Sequence, residues 1–214
     1  MKYPNIFCRL LLASVFLLLH GASAIAAEER GKPTQRTYPA FQYSETAAEP
    51  VIEYNLVHHM LAEPDPEPLL RIYGNGRVHV HYPAYMTRAG NYELQLSQPE
   101  LRTLLRALAT DGIIDFDPAA TRYQRQQFDA QQRAATGTLF YISDSSDTVI
   151  GIRLNEYQKG PGTARVLNLK KRFIWPDLKQ DARRFPRLRE ITNANKATQR
   201  LDTLLQSADL VKIR

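Results

Sequence analysis

Four histidines are the residues in this sequence best suited to chemistry. His58, His59, His79 and His81 lie within a stretch of 24 residues. The His79-x-His81 spacing places two imidazoles on one face of a β-strand, about 7 Å apart, a spacing that zinc sites use. His59 would supply the third ligand, so the candidate metal site consists of His59, His79 and His81.

Arg71 argues against this metal site. If the strand that contains His59 pairs with the strand that contains Arg71, the arginine lies between His59 and His79. A fixed cation at that position repels a metal ion. We therefore expect the histidines to be polar strand residues, and we keep a metal-binding protein or metal-dependent enzyme that uses His79 and His81 as the alternative.

Other catalytic motifs are missing from the sequence. The single cysteine, Cys8, lies in the apolar N-terminal run, and no Gly-x-Ser-x-Gly nucleophile motif occurs. The Gly74-x-Gly76 spacing is too short for a phosphate-binding loop. We therefore expect no catalytic residue and no cofactor, and a non-catalytic protein.

Residues 1–27 have the three parts of a secretory signal peptide. Lys2 and Arg9 give a positive start, Leu10–Leu19 form an apolar run, and small residues follow at 22–24. Ten apolar residues are too few for a transmembrane helix, which needs about 20. We expect cleavage before Glu28 and export to the periplasm or the exterior, with no transmembrane segment in the mature chain.

The charge of the remaining chain is uneven. Residues 28–150 carry 11 Lys/Arg and 16 Asp/Glu, whereas residues 151–214 carry 15 and 6, a net charge of +9. This pattern predicts an anionic envelope component or an acidic protein as partner; nucleic acid is not expected for an exported protein. The alternative is a basic face that only contacts solvent. The candidate contacts are Lys170, Lys171, Arg172, Trp175, Arg183, Arg184 and Arg187.

The first half of the mature chain predicts strands. Residues 28–50 are polar and predict a flexible N-terminal segment, and residues 51–61 alternate as a half-buried strand. Residues 69–81 predict a β-hairpin around Gly74-Asn-Gly76. A three-residue loop pairs Ile72 with Val78 and places Arg71, His79 and His81 on the opposite face.

The second half adds helices to this sheet. After a strand at 92–96, Ser97 and Glu100 form a capping box for a Leu-rich helix that ends at Gly112. Residues 118–136 predict a solvated loop or short helix, and a last helix follows Pro186. A second hairpin is predicted from 139–143 and 149–154. The elements predict an α+β fold, with two main helices on an antiparallel sheet of five to six strands, and one domain at 51–214.

The hairpin and the capped helix carry a family resemblance. Ile72-Tyr-Gly-Asn-Gly-Arg-Val78, a following strand, and a helix entered at Ser97-x-x-Glu100 and left at Gly112-Ile-Ile-x-Phe116 resemble uncharacterised exported bacterial domains of unknown function. The similarity covers residues 51–206. These motifs are turn and core residues, so the resemblance implies a small envelope domain and transfers no catalytic residue.

Overall fold

The fold is built on one large antiparallel sheet with helices packed against it. A computed structural model of the protein describes residues 37–46, 48–59, 65–137 and 145–213, so the predicted signal peptide at 1–27 lies outside the described residues. The elements in chain order are β1 (Ala40–Gln42), β2 (Pro50–His58), β3 (Leu70–Tyr73), β4 (Arg77–Tyr82), β5 (Gly90–Gln95), α1 (Gln98–Thr110), α2 (Pro118–Thr136), β6 (Ser146–Gln158), β7 (Val166–Pro176), α3 (Leu178–Arg184), α4 (Arg189–Leu205) and β8 (Val211–Lys212).

The strand order follows from the pairing of β6 along both edges. One edge of β6 pairs with β2 and, further along, with β1, while the other edge pairs with β7. From β2 the sheet continues through β3, β4 and β5 to β8. The predicted α+β class is confirmed. The described residues form eight strands and four helices, which exceeds the predicted five to six strands and two main helices.

The β3–β4 hairpin confirms the predicted register. Ile72 pairs with Val78, and Arg71 pairs with His79. Gly76 adopts a φ of +86°, the left-handed conformation that the three-residue loop requires. A Cβ atom at this position would lie 2.1 Å from the Leu96 carbonyl oxygen, so glycine is required for space as well.

The core lies between the apolar face of the sheet and the helices. Helix α1 begins with the predicted capping box, in which Glu100 N donates to Ser97 Oγ and Ser97 N donates to the Glu100 carboxylate. The buried residues of α1 and α4 include Leu101, Leu105 and Ile191, which are at most 1% exposed. These side chains cover the strand residues that alternate inward, so the core lies between the helices and one face of the sheet.

Helix α2 is longer than the predicted loop or short helix. Asp117 caps it by accepting hydrogen bonds from Ala119 N and Ala120 N, and Gly137 ends it in the left-handed conformation. Only Thr121 is buried along its 19 residues. Caps and good helix formers therefore sustain this helix, which its weak apolar pattern did not predict.

Two predicted boundaries are corrected. The hairpin partner of residues 149–154 is β7, because β2 and β7 occupy both edges of β6 there; the other predicted half, 139–143, lies outside the described residues. The predicted flexible segment 28–50 contains β1, which pairs with β6 through Ala40–Gln42. The ordered part of the chain therefore begins before residue 51.

None of the described helices combines the length and the apolar character that crossing a bilayer requires.

Candidate functional site

The polar face of the sheet carries a row of mostly charged or polar residues. Strand pairing places Arg172, Gly151, Glu53, Arg71, His79 and Glu93 side by side across β7, β6, β2, β3, β4 and β5. Directly opposite residues on one sheet face are within contact distance. Positive and negative residues therefore meet across this face, and the side chain of Glu53 lies beside Gly151, which has no side chain of its own.

The segment 65–68 lies on this polar face and is held there by its two acids. Asp65 Oδ2 lies 2.9 Å from His81 Nε2, and Glu67 Oε1 accepts a hydrogen bond of 2.7 Å from Arg71 Nη1. Glu67 also lies 3.8 Å from His79 Nδ1. The acidic residues thereby fix the position of the two prolines that stand beside them, Pro66 and Pro68.

His81 has an oxygen partner at each ring nitrogen. Asn91 Oδ1 lies 2.8 Å from Nδ1, and Asp65 Oδ2 lies 2.9 Å from Nε2. Burial opposes the charged ring, but the hydrogen bonds to Asp65 and Asn91 and the charge of Glu67 outweigh it and raise the pKa of His81. The hydrogen bond from His81 in turn lowers the pKa of Asp65. The geometry favours the imidazolium form of His81, in which both nitrogens donate.

The candidate metal ligands do not converge. The register places His79 level with Glu53, whereas His59 is six residues further along from Glu53, about 20 Å at the rise of a strand. His59 instead lies 3.3 Å from Asp147. Burial lowers the pKa of His79, which favours its neutral form. Among the described residues, no group of three His, Cys, Asp or Glu side chains has an arrangement that would hold a metal ion.

A groove of about 330 Å³ lies along β6 on the polar face. Its floor is made by alternate residues of β2 and β6, one wall by the prolines of the 65–68 segment, and the other wall by β7. The residues that face it are Glu53, Asn55, Val57, Pro66, Pro68, Val149, Gly151, Arg153, Lys170 and Arg172. We call this feature the basic groove.

The charges of the basic groove are mostly positive. Arg153 lies 3.8 Å from Glu53 and 3.7 Å from Glu49, so it is partly compensated. Lys170 and Arg172 are exposed and form no ion pair within the described part of the chain. Two uncompensated cations beside a narrow floor make an attractive site for carboxylates or phosphates.

The other predicted contact residues fall in different places. Lys171 points to the opposite face of the sheet, where its Nζ donates a hydrogen bond of 2.7 Å to the Phe116 carbonyl. Trp175 is 1% exposed, and burial removes it from the predicted contact surface. Arg184 pairs with Asp129 of α2. Arg183 and Arg187 are exposed to solvent and do not line the basic groove.

Arg153 and the prolines are site residues that the sequence did not predict. Arg153 lies opposite Lys170 because the Lys159–Gly162 turn returns the chain as β7. The alternation of Leu169, Lys171 and Phe173 against Lys170 and Arg172 was a signal for this strand. The closely spaced prolines at 64, 66 and 68 predict only a stiff connection without regular structure.

Comparisons with protein families, with curated proteins and with solved structures found no significant match.

Proposed function

We propose that this protein is an exported, non-catalytic binding module whose basic groove holds an acidic segment of a partner protein. The observation that carries the proposal is the pair Lys170 and Arg172, exposed beside a groove and without an ion pair among the described residues. Charge-assisted hydrogen bonds from such groups to carboxylates are stronger than neutral ones.

The shape of the groove favours an extended segment as the ligand. The prolines of the 65–68 segment stand above one side, and the basic side chains of β7 stand above the other. A concave strip of this kind admits a single extended chain more readily than a flat lipid surface. Val57 and Val149 add apolar contact area on the floor for neighbouring side chains of the bound segment.

The predicted export supports an extracytoplasmic partner. The proposal places the mature chain in the periplasm or outside the cell because of the basic start, apolar run and small residues in 1–27. The resemblance to exported bacterial domains agrees with this placement. An acidic envelope protein is then the partner class that suits both the location and the charge of residues 151–214.

The proposal is tested by removing charge at the groove and, separately, elsewhere. The test variant is Lys170→Gln with Arg172→Gln, and the matched control is Arg183→Gln with Arg187→Gln, which removes the same charge from exposed sites. Binding of poly-L-glutamate is measured by titration calorimetry at about 0.01 M and about 0.15 M salt, where the Debye length falls from about 30 Å to about 8 Å. The mature chain beginning at Glu28 is used.

We expect the groove variant to weaken binding about twofold to thirtyfold at low salt and the control to weaken it less than twofold, since exposed pairs each contribute about 0.2–1 kcal/mol. Binding of the wild type should weaken as salt rises. Equal losses in the two variants, or no binding by the wild type, would overturn the proposal. Tighter binding to phosphatidylglycerol vesicles than to poly-L-glutamate would replace the acidic segment by a lipid surface.

A further inference from the structure

A second cleft lies on the opposite, helix-bearing side of the sheet. It has a volume of about 320 Å³ and lies among β2, β6, the start of α3 and α4. Small-molecule sites in proteins span about 300–1,000 Å³, so this cleft suits a small ligand. This cleft is separate from the basic groove, although strands β2 and β6 contribute residues to both.

Polar side chains from the sheet and from α4 converge in this cleft. Tyr54 and Thr148 contribute hydroxyls from the sheet and are 1% and 5% exposed. Asn195, Gln199 and Asp202 contribute amide and carboxyl groups from α4. Tyr54 Oη donates a hydrogen bond of 2.8 Å to Asp202 Oδ1, so the phenol and the carboxyl are held together at the base of the cleft.

The cleft carries the carboxyl groups of Asp177 and Asp202 and the ammonium group of Lys179, a formal excess of one negative charge. Burial raises the pKa of Asp202, although the hydrogen bond from Tyr54 and the charge of Lys179 oppose this shift. Burial also raises the pKa of Tyr54, which keeps the phenol neutral. Asp177, at the N-terminus of α3, also lines the cleft, and its carboxylate accepts a hydrogen bond of 3.2 Å from Ser146 N. Neither a strong anion nor a strong cation is favoured by this set.

Asp177 also has an uncommon backbone conformation. Its φ of +50° and ψ of +37° lie in the left-handed region, which non-glycine residues seldom occupy. Residues held in this region are frequent at ligand sites. The bend turns the chain from β7 into α3 and sets Asp177 at the edge of the cleft.

We propose that this cleft binds a small, uncharged, hydroxyl-rich ligand of monosaccharide size. Hydroxyl and amide groups both donate and accept hydrogen bonds, so a lining made of them matches a ligand whose hydroxyls also do both. Tyr54 and Asp202 form the base, Asn195 and Gln199 form the side, and Leu56 offers an apolar surface for a ring face. The site is independent of the proposed function.

The test compares neutral sugars with charged small molecules on the mature chain. Amide chemical shifts are followed by NMR during titration with glucose and N-acetylglucosamine, and in parallel with acetate and ethanolamine. Gln199→Ala removes an exposed cleft side chain without risk to the core, and Gln206→Ala removes an exposed glutamine at the end of α4 outside the cleft. Asp202→Asn keeps an acceptor for Tyr54 while it removes the carboxyl.

We expect at least one sugar to shift the amides around Thr148 and Asn195, and Gln199→Ala and Asp202→Asn each to weaken that sugar's binding at least about threefold, as loss of one hydrogen bond predicts. Gln206→Ala should leave the Kd unchanged. If neither sugar shifts any amide at about 50 mM, a concentration that fills even a site with a millimolar Kd, the proposal is overturned. Equal loss in Gln199→Ala and Gln206→Ala, or tighter binding of acetate or ethanolamine, would overturn it as well.

Discussion

Trp175 Nε1 donates a hydrogen bond of 2.9 Å to Asp181 Oδ2, and each of these residues is 1% exposed. Arg125 Nε lies 2.7 Å from the same carboxylate oxygen. Burial raises the pKa of Asp181, while the hydrogen bond from Trp175 and the charge of Arg125 oppose the shift. The indole thus joins β7 to α3 and, through Asp181, to α2.

Trp175→Phe should therefore lower the free energy of unfolding and leave the Kd for poly-L-glutamate unchanged. The substitution removes a hydrogen bond to a charged group, which contributes about 1.5–3 kcal/mol, and Asp181 loses a buried donor. Urea denaturation measures the free energy of unfolding, and poly-L-glutamate titration measures binding. A weaker Kd with unchanged stability would return Trp175 to the contact surface.

Two adjacent leucines of α1 should differ in their contribution to the core. Leu105 is 1% exposed, whereas Leu104 is partly exposed at the edge of the core. Leu105→Ala should lower the free energy of unfolding by about 2–5 kcal/mol, the range for a buried leucine. Leu104→Ala, the matched control, should cost clearly less in the same denaturation experiment. An equal loss of unfolding free energy in the two variants would mean that α1 is rotated about its axis relative to the core.

Two glycines with positive φ should respond differently to a methyl group. Gly76 and Gly112 have φ values of +86° and +80°. A Cβ at Gly76 would meet the Leu96 carbonyl oxygen, whereas a Cβ at Gly112 meets nothing within 4 Å. Gly112→Ala should cost about 1–2 kcal/mol for the left-handed backbone alone, and Gly76→Ala should cost more. Thermal melting of both variants checks the order, and a reversed order would contradict the hairpin geometry.

The Asp65–His81 pair should contribute stability over a limited pH range. The folded pKa of His81 is raised, so its contribution is complete below the unfolded value of about 6.5 and is lost as pH rises through the folded pKa. The folded pKa of Asp65 is lowered, so its contribution is complete above about 3.9 and is lost as pH falls through the folded pKa. The stability difference between the wild type and Asp65→Asn should therefore be larger at about pH 5.5 than at about pH 8.5.

Denaturant titrations at the two pH values measure this difference, and the NMR titration of His81 should show a lower pKa in Asp65→Asn. A stability difference that grows from the acidic to the basic value would contradict the pairing. The control is His59→Gln, because His59 is an exposed histidine that lies beside Asp147 and does not contact Asp65. This substitution should leave the pKa of His81 unchanged.

Local signals explain why some of the fold could be predicted from the sequence. The β3–β4 register follows from two apolar pairs and one glycine loop, and α1 follows from Ser97, Glu100 and a leucine repeat. Strand β7 is harder to predict because Lys171 interrupts its otherwise apolar face, which weakens the alternation. The structure adds an irregularity to this strand, since Asn168 has a φ of +52°. The side chain of Lys171 is accommodated there by the Phe116 carbonyl.

The basic groove required long-range contacts that a sequence pattern does not contain. Its cations come together only when Arg153 lies opposite Lys170 across β6 and β7. Its proline wall stays in place through the contacts of Asp65 with His81 and of Glu67 with Arg71. The charge excess of residues 151–214 indicated the chemistry of this face, and the pairing of strands selects the residues that form it.

Gly151→Leu tests most directly whether the groove itself is the binding site, because it fills the floor without changing any charge. A Cβ at Gly151 would lie 3.3 Å from Glu53 Oε2 and 3.5 Å from Glu53 Cβ, so the Glu53 side chain must shift to admit the leucine. The measurement is the Kd for poly-L-glutamate at low salt, with a thermal melt to confirm folding. Occupancy of the groove predicts that Gly151→Leu weakens binding at least about tenfold, or about 1.4 kcal/mol. A folded Gly151→Leu protein that binds with the wild-type Kd would contradict it.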